Sequence, residues 1–317
     1  MNLQNKGKHI GLGVVILLFL CLPLITTEPR YLHMFIMGLI FSMLTMGFVL
    51  ILRVGQFSLG QAAYLAIGGY ASALLTMRAG LPLPLAMLLS GVIAGAIAAM
   101  LGVIVLRIRG LYFSIITFAF AEVVKLTIIN WKSLLGGHDG IWDVPGLFET
   151  TSRVPPYYLI LFLVIVTAVV LWRLDKSRIG KIFKHVAENE LMAESIGINT
   201  LKYKVLAYVV ACFFAGVAGS FYAHYYMLVH PESFNVWVSI MVQIQAMVGG
   251  TASIIAGPLI GAIVLTALTE FLRATAGLQP LIYGAVIMIV IFFLPGGLES
   301  LGPMFFRKWL RRPRNEA

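Results

Sequence analysis

Apolar runs long enough to cross a lipid bilayer recur along this 317-residue chain, and they restrict its possible folds more than any other feature. A helix that spans the hydrocarbon core needs about 20 predominantly apolar residues. With 60% hydrophobic and 11% charged residues, the composition lies far outside the range of soluble domains. Because backbone polar groups inside a bilayer must bond to one another, such runs form helices. The sequence therefore predicts an all-α, polytopic membrane protein.

The apolar pattern divides into ten predicted spans within a single transmembrane domain, residues 1–317. The spans cover residues 10–26, 32–52, 61–77, 83–106, 111–130, 157–173, 204–225, 235–249, 254–272 and 279–295. Lys6 and Lys8 before the first run also resemble the start of a signal peptide. The stretch 22–27 lacks a small-x-small cleavage site, which favours an uncleaved first span.

Lysine and arginine are distributed unevenly between the two sides of these spans. Of the 23 such residues, 17 fall on one side and six on the other. Cytoplasmic loops carry the excess of positive charge in membrane proteins. The count therefore places both termini, including the basic tail at 303–317, in the cytoplasm. It also explains the net charge of +10 as an orientation signal, so we expect no nucleic-acid partner.

A short polar segment, Asp175–Lys204, holds 10 of the 36 charged side chains and lies between two apolar runs. We call it the charge island; it fills the predicted cytoplasmic loop at 174–203. Such a segment cannot lie in hydrocarbon and must project into water. It nevertheless carries an apolar stripe at helical spacing, which we expect another protein to cover. The stripe consists of Ile182, Phe183, Val186, Ala187, Ala193 and Ile196.

Two segments that contain Gly and Ser interrupt the apolar pattern, one in each half of the chain. We call residues 53–61 the first break and residues 247–253 the second break. Paired interruptions can mark a translocation path, because unwound backbone is tolerated only where protein or water covers it. Tight turns with small residues for close helix packing are an equal alternative. The candidate path residues are Gly55, Gln56, Ser58, Gly60, Glu122, Gln243, Gln245, Gly249 and Gly250.

Small residues recur at spacings of three and four within several spans, which is typical of closely packed membrane helices. They are Gly91, Gly95, Ala99 and Gly102, then Ala215, Gly216 and Gly219, and finally Gly257 and Gly261. We predict that they serve packing.

Two couples of opposite charge lie within or near spans. Glu122 and Lys125 are three residues apart, as are Glu270 and Arg273. Each couple can pair internally, which lowers the cost of desolvation. Structural pairing is therefore favoured over the alternative that they line an outer cavity.

Motifs for nucleotide or metal chemistry are missing from the sequence. No GxxxxGK[ST] loop occurs, since Gly180-Lys181 is followed by Ile182. His138-Asp139 and His224 have no third ligand at suitable spacing, so no metal site is predicted. We expect no enzyme and no bound cofactor.

The longest loop on the predicted outer side, residues 131–156, is rich in Gly, Pro and turn formers. It suits a docking surface, or equally an aromatic anchor with an ordinary loop. The docking candidates are Trp131, Gly137, Asp139 and Trp142 in this loop, together with Glu232 in a second predicted docking loop at residues 229–234.

Taken in order from about residue 35 to 298, the motifs resemble those of the branched-chain amino acid ABC transporter permeases. They are Gly55–Tyr64 with Gly68-Gly69-Tyr70, Arg107–Phe113 with Ala119–Glu122, Gly136–Gly140, Glu188–Asn199, Pro231–Phe234, Gly249-Gly250 with Gly257-Pro258, and Leu294–Leu298. The segments at 107–113 and 188–199 are similar to the M-type subunit.

This resemblance implies a ten-helix importer permease in a bacterial inner membrane. The implied partners are a homologous second permease, two cytoplasmic ATPase subunits that use ATP and Mg²⁺, and an extracytoplasmic binding protein. The island would contain the coupling helix that docks on the ATPase. The implied coupling residues are Phe183, Val186, Glu190, Ala193, Ile196 and Gly197. An importer of amides, urea or another small polar solute, or a stand-alone secondary transporter, remain alternatives.

Overall fold

The computed structural model describes Pro23 and residues 28–108, 110–148, 152–272, 279–294 and 296–300. Apart from Pro23, the first predicted span lies outside the described residues, as do Arg273 and the basic tail.

Helices make up most of the described chain and strands very little of it, which confirms the predicted all-α class. They are α1 (Pro29–Leu52), α2 (Gln61–Met77), α3 (Leu83–Val105), α4 (Leu111–Asn130), α5 (Lys132–Leu135), α6 (Val154–Lys176), α7 (Arg178–Glu188), α8 (Glu190–Ser195), α9 (Thr200–Tyr226), α10 (Val236–Gly249), α11 (Ala256–Phe271) and α12 (Gln279–Phe293). Two-residue strands, β1 (Ile141–Trp142) and β2 (Leu228–Val229), form an antiparallel pair.

Within the described residues, nine of the helices begin and end within four residues of a predicted span. Five of them, α1, α3, α4, α6 and α9, are long and apolar enough to cross a bilayer by length and composition. Three of the helices beside the breaks are shorter, with 17 residues in α2, 14 in α10 and 16 in α11. At about 1.5 Å per residue, α2 extends about 25 Å, less than the roughly 30 Å of a hydrocarbon core. The count of ten spans stays a prediction.

Helices α1 and α9 form the centre of the bundle. In the most apolar window of α1, 78% of the residues are buried, and in that of α9 67%. The corresponding share for α4 is 28%, which places α4 at the periphery with an exposed apolar face. Helix α9 packs against α1, α2 and α3, while α1 also packs against α6 and α11.

Close contact between helix backbones depends on the small residues that the sequence singled out. A Cβ atom at Gly68 of α2 would lie 2.1 Å from the Gly216 carbonyl oxygen of α9, and one at Gly219 would lie 1.9 Å from the Leu65 oxygen. A Cβ at Gly261 of α11 would lie 2.0 Å from the Gln245 oxygen of α10. The packing prediction for these residues is confirmed.

The bundle has two ends with different contents. One end carries the charge island and the second break. Arg53, at the end of α1, contacts both of them. We call this end the charged end. The opposite end carries the loops at 131–148 and 227–235, where Arg78 Nη2 donates to the Ser133 oxygen at 3.0 Å. Helices of alternating direction connect these two ends.

Candidate functional site

The first break is held by hydroxyl groups of the peripheral helix α4. Ser114 Oγ donates to the Phe57 carbonyl oxygen at 2.6 Å. The Leu59 amide donates to Thr117 Oγ1 at 3.0 Å. Non-helical backbone inside a bilayer must find such partners, because hydrocarbon offers none.

Side chains of α10 hold the same segment from another direction. Gln243 Nε2 donates to the Ser58 carbonyl oxygen at 3.1 Å, and the Ala62 amide donates to Ser239 Oγ at 2.9 Å. A turn in water would need no such bonds, since water would satisfy its backbone. These contacts support a membrane-embedded segment at the first break, and they place the path candidates Ser58 and Gln243 together.

The second break has a different construction, in which backbone packs directly on backbone. A Cβ atom at Gly249 would lie 2.0 Å from the Gly257 oxygen, and one at Gly257 would lie 1.9 Å from the Gly250 oxygen. Here the packing alternative describes the structure. Gly249 packs against α11 and Gly250 against residues 296–299. Their place in a translocation path stays a prediction.

Two other path candidates lie apart from this cluster. Gln245 is buried and its Oε1 accepts from Thr45 Oγ1 of α1 at 3.1 Å. Glu122 is half-buried on α4. Its predicted pairing partner Lys125 instead donates to Glu232, which lies 107 residues further along the chain, at 2.9 Å. Lys125 therefore pairs with the distant Glu232 and not, as its spacing indicated, with Glu122 on the same helix.

Capping residues divide the charge island into two short helices. Ser177 Oγ accepts from the Ile179 and Gly180 amides at the start of α7. Asn189 Oδ1 accepts from the Met192 amide at the start of α8. Caps of this type satisfy amides that lack intrahelical partners, so these residues fix where each helix begins.

The apolar stripe of the island is divided between the inside of the chain and its surface. Phe183, Val186 and Ala193 are buried by the chain itself, with Phe183 packed edge-on against Tyr203. The expectation that a partner covers the whole stripe is therefore wrong for these three residues.

The exposed apolar residues of the island lie on α8 and at the residue that directly follows it. Ile196 is 70% exposed, and Leu191 and Met192, which were not part of the stripe, are each 64% exposed. We call these three residues the apolar tip. Gly197 ends the tip in a left-handed conformation (φ +83°), which a side chain would strain.

Glu190 anchors the apolar tip to the bundle. Its Oε1 lies 2.5 Å from Lys204 Nζ, and Lys204 is only 1% exposed. Thr200 Oγ1 also donates to Glu194 at 2.8 Å. Glu190 was predicted to contact a partner, but its carboxylate faces α9 because a buried ammonium there requires a counter-charge.

Contacts at the charged end connect the island to both breaks. A Cβ atom at Gly55 of the first break would lie 3.2 Å from Ala187 Cα of α7. Arg53 Nη2 donates to the Ala252 oxygen of the second break at 2.6 Å, and its Nε lies 3.7 Å from Asp175 Oδ1. In the sequence, Arg53 is only one of the 17 positive charges that indicate orientation, and nothing there predicts these contacts.

The two loops predicted for docking are joined at the opposite end. Ile141 and Trp142 pair with Val229 and Leu228, respectively, in the β1–β2 ladder. The side chains of Trp131 and Trp142 are more than half exposed. Among the other docking candidates, Asp139 is exposed and Gly137 is buried. The hydrogen bond from the Lys125 ammonium holds the pKa of Glu232 below its ordinary value.

His224 fastens the longer of these loops to the helices. It is buried in α9, with Nε2 at 2.8 Å from Ser72 Oγ of α2 and Nδ1 at 2.7 Å from the Pro145 oxygen. A carbonyl oxygen only accepts, so Nδ1 carries the proton and Ser72 donates to Nε2. This contact explains a membrane histidine that the sequence left without a function.

Comparison with known proteins identifies the family of the chain. A family model described as "Branched-chain amino acid transport system / permease component" matches residues 30–295, most of the chain. The chain belongs to this family. It is therefore a multi-pass permease subunit of such a transport system, which confirms the resemblance carried by the motifs.

Two relatives are high-affinity branched-chain amino acid transport system permease proteins named LivM. The protein from Salmonella typhimurium LT2 is 29% identical over 290 residues, which cover 83% of this chain and 68% of that protein. The protein from Escherichia coli K12 is 30% identical over 271 residues, which cover 77% of this chain and 64% of that protein. No solved structure matches the chain at a significant level.

Proposed function

We propose that this chain forms half of the translocation path of an ATP-driven, binding-protein-dependent importer for branched-chain amino acids. The observation that carries the proposal is the apolar tip. A mostly polar segment presents three neighbouring exposed apolar side chains on a short helix and at the residue after it, anchored by the buried Lys204–Glu190 pair. A contiguous apolar surface presented in water marks an interaction site. A separate ATPase subunit would be this partner, since the sequence contains no phosphate loop of its own.

The contacts at the charged end give the coupling a physical route. Movement of the ATPase would displace α8 and α7 as a unit, because Phe183 and Val186 pack them onto the bundle. Ala187 contacts Gly55, and Asp175 lies beside Arg53, so the displacement would reach the first break. Rigid-body motion of this kind switches access between two packed arrangements.

The two ends then face different compartments of a bacterial cell. The charged end, where 17 of the 23 Lys and Arg residues belong, would face the cytoplasm together with both termini. The opposite end would receive the extracytoplasmic binding protein on the surface around Trp131, Trp142 and the 227–235 loop. A homologous second permease and two ATPase subunits, which bind ATP and Mg²⁺, would complete the importer. The chain itself would have no catalytic role.

The stand-alone secondary transporter is the less favoured function. Ion coupling requires an ionisable group inside the membrane that faces the path. Among the described residues, Lys204 is the buried charged side chain, and it is paired with Glu190. Glu122 is half-buried at the periphery. An importer of amides or urea would use the same mechanism and differ only in the solute. Competition by a panel of solutes distinguishes it from an importer of branched-chain amino acids.

The test uses the assembled complex, purified with its binding protein and rebuilt in liposomes. Native mass spectrometry should show two permease chains and two ATPase chains. Leucine, isoleucine and valine should compete with labelled leucine for uptake, whereas acetamide and urea should not. If only acetamide or urea competed with the labelled solute for uptake, the chain would belong to an amide or urea importer instead. A functional homo-oligomer without ATPase subunits would reject it.

A further inference from the structure

Gln61 is the first residue of α2, and its side-chain amide is buried without a hydrogen-bond partner among the described residues. The residue is 1% exposed. Among the described residues, no group hydrogen-bonds with its Oε1 or its Nε2. Gln56, in the first break, is 4% exposed, and its Oε1 likewise has no partner in the described part of the chain. Burying an amide without a partner is unfavourable, and more so inside a membrane.

Three backbone amides beside these side chains do have partners. The Leu59, Gly60 and Ala62 amides reach Thr117, Ser58 and Ser239 hydroxyls at 2.9–3.2 Å. Their acceptors lie on α4, in the first break itself and on α10, so these amides are held from several directions. Arg53 Nε is also buried without a hydrogen bond among the described residues, but it lies 3.7 Å from the Asp175 carboxylate. The unpartnered amide atoms of the two glutamines are neutral and have no such ion pair, so they call for a functional explanation.

The position of Gln61 adds a second property. Helix α2 has 17 residues, and its N-cap Gly60 provides no side-chain hydrogen bond. A helix N-terminus carries a partial positive charge and exposed amides, which favour a carboxylate. The Cα–Cβ bond tilts towards the helix N-terminus, so the Gln61 side chain leans over this end of α2. Broken helices in transporters present their N-termini to solute carboxylates in this way.

We propose that the N-terminus of α2, with Gln61 and Gln56, is a transit site for the polar head of an α-amino acid. Gln61 Nε2 would donate to the α-carboxylate, and Gln56 Oε1 would accept from the α-ammonium. The site is closed in this conformation. Separation of α10 from α2, which breaks the Gln243–Ser58 and Ser239–Ala62 bonds, would open it. This inference rests on the proposed import of amino acids.

The experiment measures leucine uptake by the complete complex in ATP-loaded liposomes, together with its thermal stability. Gln61→Leu removes the amide at similar size. We expect uptake to fall about tenfold or more, as the loss of a hydrogen bond to a charged group implies, with no loss of stability. Gln61→Glu should be at least as impaired, because its carboxylate would repel the solute carboxylate. Gln61→Asn, which keeps the amide, should retain part of the uptake.

Thr266→Val is the matched control. Thr266 Oγ1 is also buried without a partner in the described residues, but it lies in α11 away from the first break. Its removal should leave uptake unchanged. Normal uptake by Gln61→Leu or Gln61→Glu would show that the amide only meets structural water, and would overturn the site while leaving the importer intact. If the wild-type complex imports no leucine, the proposed function fails first.

Discussion

Gly68 and Gly216 set the distance between α2 and the central helix α9. A Cβ atom at Gly68 would lie 2.1 Å from a backbone oxygen, which cannot rotate out of the way as a side chain can. The Gly68→Ala variant should lose about 1–3 kcal/mol of stability, the range for overpacked cores. Thermal unfolding of the purified chain in detergent measures this loss.

Gly284 provides the control for that substitution. It lies in α12, and a Cβ there would have no described atom within 4 Å outside its own helix turn. Gly284→Ala should be neutral or should stabilise by roughly 0.5–1 kcal/mol, because alanine favours the helix. Equal effects of the two substitutions would show that helix propensity, not backbone contact, governs both.

Glu232 reports on the contact between α4 and the loop at the opposite end. Because Lys125 lowers its pKa, the pair stabilises the loop above the ordinary value of 4.5, and this contribution disappears as the pH falls through the lowered pKa. In Lys125→Met, the pKa of Glu232 should rise towards 4.5. Carbon-13 NMR of labelled glutamate follows this titration.

Lys132→Met removes a cation from the same end without touching the pair, so Glu232 should titrate as in the wild type. An unchanged pKa in Lys125→Met would contradict the assigned cause. The pair is partly exposed, with side-chain exposures of 19% and 50%, so any change in global stability should be small.

Helices α7 and α8 divide the charge island into an inner face that holds it on the bundle and an outer tip that is free to bind. Ile196→Asp, at a residue 70% exposed, should leave the fold intact and reduce uptake about tenfold or more while basal ATP hydrolysis continues. Phe183→Asp, at a residue 1% exposed, should instead destabilise the chain itself. Uptake, ATPase activity and melting temperature are measured for both.

Lys202→Ser, an exposed substitution in the same island, should behave as the wild type in all three assays. Normal coupling in Ile196→Asp would show that the ATPase binds elsewhere.

Arg53 connects elements that are distant in sequence. It bonds the Ala252 oxygen of the second break and lies beside Asp175 of the island. Arg53→Gln removes the charge and should weaken the coupling between ATP hydrolysis and uptake by several-fold, since hydrogen bonds to charged groups are worth about 1.5–3 kcal/mol. The ratio of leucine imported to ATP hydrolysed is the appropriate measurement. A ratio equal to that of the wild type would remove Arg53 from the coupling route.

Helix bounds were largely predictable from the sequence, and tertiary contacts were not. Residues 61–77 and 111–130 were predicted as spans, and α2 and α4 have the same bounds, because Gly60 and Gly110 interrupt apolar runs. The burial of Phe183 could not be predicted, since an amphipathic stripe does not reveal whether its cover is another protein or the same chain. Likewise, nothing in the local spacing of Glu122 and Lys125 indicates a partner at Glu232.

At the scale of the whole molecule, the charged end brings together features that are distant from one another in the sequence. The charge island, which carries the docking tip, and the two breaks meet around Arg53 and Gly55 through Asp175, Ala187 and Ala252. The opposite end joins two outer loops through the β1–β2 pair and His224. The first break is held by side-chain hydrogen bonds, whereas the second break packs backbone on backbone. The two halves of the chain are therefore built differently. We expect the first break to be the part that opens.

Leucine uptake into liposomes that contain the complete complex tests the central claim most directly. The binding protein is supplied outside, and the lumen contains either ATP with Mg²⁺ or a non-hydrolysable ATP analogue, with no ion gradient. We predict accumulation against the leucine gradient with ATP and none with the analogue. Accumulation driven by a proton or sodium gradient in the absence of ATP would contradict the account.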